Sequence, residues 1–127
     1  MAIIKEDLYY SEEHEWVSVE GDIATVGVTD YAQDSMGDIV FAELPDEDSV
    51  VQSGDPVGVL ESVKAVSDIF TPVSGKVIET NDALEDEPEL INSDPYSNYI
   101  FVVELENREQ LEHLMDAEAY EKYCSEI

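Results

Sequence analysis

The sequence predicts a mainly β protein, a sandwich or flattened barrel of short strands with one short early helix and a helical C-terminal region. Apolar residues come in short runs such as "IATVGV", "DIVFAEL" and "YIFVVEL", set apart by turn residues. From Asn107 onward the apolar spacing turns helical. With 127 residues the chain suits one core, so residues 1–127 are expected to form a single domain.

Residues 16–28, "WVSVEGDIATVGV", read as two alternating runs around Glu20-Gly21-Asp22, a hairpin signal. Thr29 is placed to cap a short helix, "DYAQDSM", with Asp30 in its first turn and Gly37 just past its end. "DIVFAEL" is the next strand and stops at Pro45, and "PDEDS" is a solvated loop. "DPVGVLESV" and "AVSDIFTPV" are β-rich and meet at Lys64-Ala65. No Asn-Gly, Asp-Gly or Gly-X marks a turn there, so periodicity leaves open a hairpin or one continuous strand. Ser74-Gly75 is a clearer turn before "KVIET". A short helix is expected after Glu87 with Pro88 at its first position, then a loop, then the last strand "YIFVVEL". Asn107 and Gln110 form a capping-box pattern, with Leu111, Leu114 and Met115 on one helical face. Asp116 restarts a helical segment whose Tyr120 and Tyr123 are expected in the core.

Charge is the unusual property. Five Lys and Arg against 32 Asp and Glu give a formal net charge of −27. Such a surface repels a phosphate backbone, so nucleic acid is excluded as a partner. The patterned apolar runs argue against disorder, and a folded protein with an acidic skin suited to concentrated salt fits better. No apolar run is long enough to span a bilayer, and the acidic N-terminal stretch lacks the pattern of signal or transit peptides; a cytoplasmic protein without membrane contact is expected. The lone Cys124 forms no intramolecular disulfide, and His14 and His113 sit in no metal-ligand spacing, so no specific metal is expected. No G-x-S-x-G motif is present, and with 32 acids a suitably spaced carboxylate pair carries no information.

One residue stands out. Lys64, in "ESVKAVSD" (61–68), is the only Lys or Arg between Lys5 and Lys76 and is flanked by Val63 and Ala65. At a turn its amine would be exposed and open to acylation, which removes the charge and lengthens a flexible stem into an arm. "SEEHEW" sets Glu13, His14 and Glu15 together, but its spacing alone reads as a polar edge with Trp16 anchoring a strand.

Four segments, "SEEHEWV" (11–17), "VGVTDYAQDSMGDIVFAELP" (26–45), "ESVKAVSDIFTPVSGKVIETND" (61–82) and "PELINSDPY" (88–96), resemble in order and spacing the H protein of the glycine cleavage system. The resemblance implies the biotinyl/lipoyl-carrier β-sandwich, with a hairpin at Lys64, and makes Lys64 the attachment point of lipoic acid. It implies a carrier and not a catalyst: the arm takes the aminomethyl group from the pyridoxal-phosphate glycine decarboxylase (P protein) to the tetrahydrofolate-dependent aminomethyltransferase (T protein). Electrons pass to dihydrolipoyl dehydrogenase (L protein), and a lipoate ligase or lipoyltransferase attaches the arm. Glu15 and Asp68 hold the positions that would shield the aminomethyl arm, and Glu61 the position that the attaching enzyme would read. A monomer is expected. Two features depart from the family pattern: the loop "SNYIF" is shorter and has Tyr99 where Trp is usual, and position 35 is Ser35.

Other carriers fit less well. Lipoyl domains of 2-oxo acid dehydrogenases typically read Asp-Lys-Ala and lack "HEW", and biotin carriers put Met on both sides of the lysine. A lipoyl donor for other enzymes, or an acidic interaction protein without the arm, remain the alternative functions.

Overall fold

Hairpin β2 (Glu15–Glu20) and β3 (Ile23–Val28) forms where the Gly21 turn predicts it, with Glu20 opposite Ile23 and Gly21 at φ 63°. A computed structural model describes residues 3–126; Met1, Ala2 and Ile127, the ends of the predicted 1–127 unit, lie outside the described residues. Around this hairpin a six-stranded sheet is ordered β1-β2-β3-β9-β8-β5, adding β1 (Tyr9–Tyr10), β5 (Val50–Val51), β8 (Gly75–Thr80) and β9 (Phe101–Leu105). A three-stranded sheet, β4-β6-β7, is built from β4 (Ile39–Glu43), β6 (Pro56–Ser62) and β7 (Val66–Phe70). Every pairing is antiparallel, the pattern expected of strands joined by short turns.

The two sheets share one core. Val17, Val26, Val77 and Val103 from the larger sheet meet Ile39, Leu60 and Ile69 from the smaller. Each such fully buried aliphatic contributes about 1.5–3 kcal/mol relative to exposure. A second, aromatic cluster of Tyr10, Trp16 and Tyr120 lies beneath α4 (Ala117–Glu126). Tyr10 and Tyr120 stack with centroids 4.5 Å apart, and the Trp16 indole donates to the Pro95 carbonyl at 3.1 Å. Gly27 makes room for that indole: a Cβ there would lie 2.7 Å from its ring atoms.

Several expectations are met and several corrected. Thr29 caps α1 (Asp30–Met36), its hydroxyl accepting from Ala32 N–H, and Gly37 ends the helix at φ 78°. The short helix after Glu87 forms as α3 (Leu90–Ser93) and takes in the start of the segment expected to be loop. Pro88 is not at its first position: it lies in the turn before the helix, where the Glu87 and Pro88 carbonyls accept from Leu90 and Ile91 N–H. A one-turn helix, α2 (Ala83–Asp86), and the two-residue strands β1 and β5 were not predicted. The capping box is only half made. Asn107 accepts from Glu109 N–H at 2.8 Å, but Gln110 turns away and bonds Ser74 twice, accepting from its N–H at 2.7 Å and donating to its hydroxyl at 2.9 Å. With the box broken the segment Arg108–His113 is a 3-10 helix, and its apolar face is split: Leu111 and Leu114 join the main core, Met115 the aromatic cluster. Asp116 caps α4, accepting from Ala119 N–H at 2.8 Å. Among the described residues no helix is long and apolar enough to cross a membrane.

Candidate functional site

Lys64 stands at the tip of the β6–β7 hairpin, exposed, with Glu61 opposite Val66 and Ser62 N–H donating to the Ala65 carbonyl at 2.8 Å. The turn is closed from the other side by a side chain. Ser62 Oγ accepts from Lys64 N–H at 3.2 Å and from Ala65 N–H at 3.0 Å. No residue of the turn needs positive φ, and this is why glycine turn chemistry gives no signal: the serine hydroxyl does what a left-handed backbone would do.

The tip is fixed to the body of the protein. Val63 N–H donates to the Asp38 carbonyl at 3.0 Å, just past the end of α1. Asn92 of α3 gathers the same corner, donating to the Gly37 carbonyl and to Gln33 Oε1, each at 2.9 Å, and accepting from Ile39 N–H at 2.8 Å. The Lys64 stem lies over Gly37, where a Cβ would approach Lys64 Cε to 3.2 Å. The backbone below the amine is therefore held while the ammonium has no ion pair among the described residues; the one ion pair there joins Lys76 to Asp48 at 3.5 Å.

A cavity of about 190 Å³ opens between β7, α1 and the Glu13-His14-Glu15 turn. Its wall includes Glu15 and Asp68, two of the predicted residues, and also His14, Tyr31 and Ser35. The two carboxylates are unequal. Glu15 is 2% exposed and held by three bonds: Ser11 Oγ donates to Oε1 at 2.7 Å, Phe70 N–H donates to Oε2 at 3.3 Å, and Glu15 N–H donates to Ser11 Oγ at 3.1 Å. Burial pushes its carboxyl up to about 8, only partly opposed by the Ser11 and Phe70 hydrogen bonds. Asp68 is exposed, opposite Val59, and also borders a shallow cavity with Glu43 and Asp46. Glu61 is not in the cavity. It lies in the cross-strand row Phe41–Glu61–Val66 of the small sheet, one residue before the turn.

His14 is the contributor that spacing alone reads as part of a polar edge. Its φ of 66° is uncommon for a residue with a side chain. The turn is held by Ser11 N–H to Glu15 carbonyl at 2.9 Å and Thr29 N–H to His14 carbonyl at 3.0 Å. Its ring stacks on Tyr31 at 4.7 Å, and burial lowers its basicity. The loop after α3 is closed by Asp94, which accepts from Tyr96 N–H, Ser97 N–H and the Ser97 hydroxyl, while the Tyr99 phenol donates to Glu79.

Among known proteins, the family model described as "Glycine cleavage H-protein" matches residues 8–127. A glycine cleavage system H protein of Thermoanaerobacter sp. (strain X514) is 54% identical over 123 residues, covering 97% of this chain and 98% of the relative. One from Staphylococcus saprophyticus is 51% identical over 124 residues, with the same coverage of both chains. The crystal structure of a glycine cleavage system H protein from Mycobacterium marinum superposes with a TM-score of 0.87 at 33% identity, covering 96% of this chain and 99% of that one. Antiparallel sandwich, held lysine hairpin and these matches agree: the chain belongs to the glycine cleavage H-protein family, the non-catalytic lipoyl carriers of the glycine cleavage system.

Proposed function

We propose that Lys64 is the residue that bears lipoic acid and that the cavity walled by Glu15 and Asp68 receives the end of the arm. The observation that carries this reading is the combination at one corner of a free, exposed amine on a tethered turn and a cavity with a buried carboxyl. When attached, the group supplies a disulfide that takes up the aminomethyl fragment and an electron pair. The protein's part is physical. A fixed turn keeps the tether's origin constant, so a mobile end is presented at high effective concentration to successive enzymes. The buried Glu15 offers an ammonium a charge-assisted hydrogen bond away from bulk water, and Asp68 adds a charge at the rim.

The family works with the other components of the glycine cleavage system. We infer the individual partners from that role: the P protein that loads the arm, the T protein that unloads it, the L protein that reoxidises it, and a lipoate ligase or lipoyltransferase that reads Glu61 beside the turn. One monomeric carrier unit over residues 1–127, working in the cytoplasm, completes the reading. Its test is peptide mapping of protein expressed with lipoate. One lipoyl group on the peptide containing Lys64 is expected, and modification confined to Lys5, Lys76 or Lys122 would refute the assignment.

A further inference from the structure

His14 joins the cavity to the C-terminal helix, and the hydrogen bonds behind it decide which of its ring nitrogens carries the proton. Thr29 is fully buried at 0% exposure. Its hydroxyl oxygen accepts from Ala32 N–H at 3.2 Å, and the other group bonded to it is the Tyr120 phenol, at 2.7 Å. A buried hydroxyl is rarely left without an acceptor, so the Thr29 proton goes to the phenol oxygen. The phenol's own proton must then go elsewhere. Nδ1 of His14 lies 2.8 Å from it, and Cys124, one turn along α4, offers only a weak sulfur acceptor. An imidazole that accepts at Nδ1 and stays neutral carries its proton on Nε2.

We propose that Tyr120 is a positioning residue for the cavity: through its bond to Nδ1 it holds His14 as the Nε2–H tautomer, so that the wall next to Glu15 presents a neutral hydrogen-bond donor. This rests on the reading that the cavity receives the arm. A neutral N–H suits the acceptor atoms of a tethered chain, an amide oxygen or a sulfur, and offers nothing to an ammonium. The ammonium is thereby left to Glu15 and Asp68, and the cavity acquires a direction. The opposite tautomer would present a lone pair at Nε2, an alternative partner for the ammonium away from the carboxylates. Tyr120 is suited to the task because its ring is fixed independently, stacked on Tyr10 with planes 6° apart.

Ring nitrogen shifts of histidine-labelled, unmodified protein at neutral pH test the tautomer without any arm, with His113→Gln used for assignment. The wild type should show His14 protonated at Nε2 alone, and Tyr120→Phe, which keeps the stacked ring, should give a mixture or the Nδ1–H form. A wild-type Nδ1–H pattern, or a Tyr120→Phe spectrum unchanged at His14, would overturn the proposal. If Tyr120→Phe does not fold, the wild-type pattern decides alone, and Thr29→Ser, which keeps the hydroxyl, should retain it. On lipoylated protein loaded with the aminomethyl group, Tyr120→Phe should release methylamine at least threefold faster, with lipoylation unchanged. The predicted tautomer with unaltered release would remove the role toward the arm. Absence of any lipoylation at Lys64 would instead sink the carrier assignment and leave the tautomer result standing.

Discussion

Glu15 accepts a hydrogen bond from the backbone N–H of Phe70 at 3.3 Å, so a carboxyl at the start of β2 in the large sheet ties down the end of β7 in the small one. The same group walls the cavity. On the proposed reading, fold and function share one buried acid.

Its stability signature follows from the sign of the shift. In the unfolded chain a glutamate titrates near 4.3, whereas burial pushes folded Glu15 up to about 8. The folded state holds the extra proton between these values. Glu15 therefore favours folding fully below the lower value, and its contribution declines by about 1.4 kcal/mol per pH unit as pH rises toward the higher. Urea titrations at pH 5.5 and 7.5, in high salt to screen the other acids, should show wild type losing about 2–3 kcal/mol more than Glu15→Gln over this interval. Equal losses in the two proteins would mean that Glu15 is ionised when buried.

The inequality of the two carboxylates predicts unequal effects on the loaded arm. In the loaded protein the arm's ammonium draws Glu15 to its ionised form, so Glu15→Gln removes a buried charge-assisted bond of about 1.5–3 kcal/mol and methylamine loss should accelerate roughly tenfold or more. Asp68, exposed at the rim, should cost only a few-fold as Asp68→Asn. Release rates followed by amine assay would contradict the assignment if Asp68→Asn were the more severe change.

Ser62 should set the mobility of the lysine tip. Ser62→Ala leaves the Lys64 and Ala65 N–H groups without their side-chain acceptor, while Ser62→Thr keeps it. Amide exchange at these two positions should speed up several-fold in the alanine variant alone, with slower lipoylation by the ligase. Exchange rates that do not distinguish Ala from Thr would show that the backbone bond from Ser62 to Ala65 suffices.

Self-repulsion among 32 acids with five Lys and Arg should make the native state sensitive to ionic strength. The thermal midpoint should climb steeply from low salt to molar KCl. A flat profile would remove salt adaptation as the reason for the acidity.

How much of this was legible in the sequence depends on where the stabilising partner lies. The Gly21 hairpin, the Thr29 cap and the Gly37 stop are set by residues within a few positions of one another, and each formed as read. Strands β1 and β5 are two residues long, too short for any periodicity, and exist because neighbouring strands pair with them. The Gln110 side chain had a local role available and took a distant one at Ser74, 36 residues away. The lysine turn carried a signal of a less obvious kind, the serine two positions before Lys64. Of the site, the family resemblance brought Glu15 and Asp68 together, but that one is buried and the other exposed is a tertiary fact. His14 is beside Glu15 in the chain, but its ring's contacts with Tyr31 of α1 and Tyr120 of α4 are ones that local pattern does not reveal.

The most direct test of the account compares two lysines. Lys64→Arg keeps the positive charge and most of the stem over Gly37 but cannot form the amide. Lys76→Arg alters the amine that is paired with Asp48. After treatment with lipoate ligase, lipoate and ATP, intact mass should show one lipoyl group on wild type and on Lys76→Arg and none on folded Lys64→Arg. Only the first two should support glycine–bicarbonate exchange with the decarboxylase. A lipoyl group on Lys64→Arg, or a wild type that never takes one up, would contradict the claim that this single exposed amine carries the function.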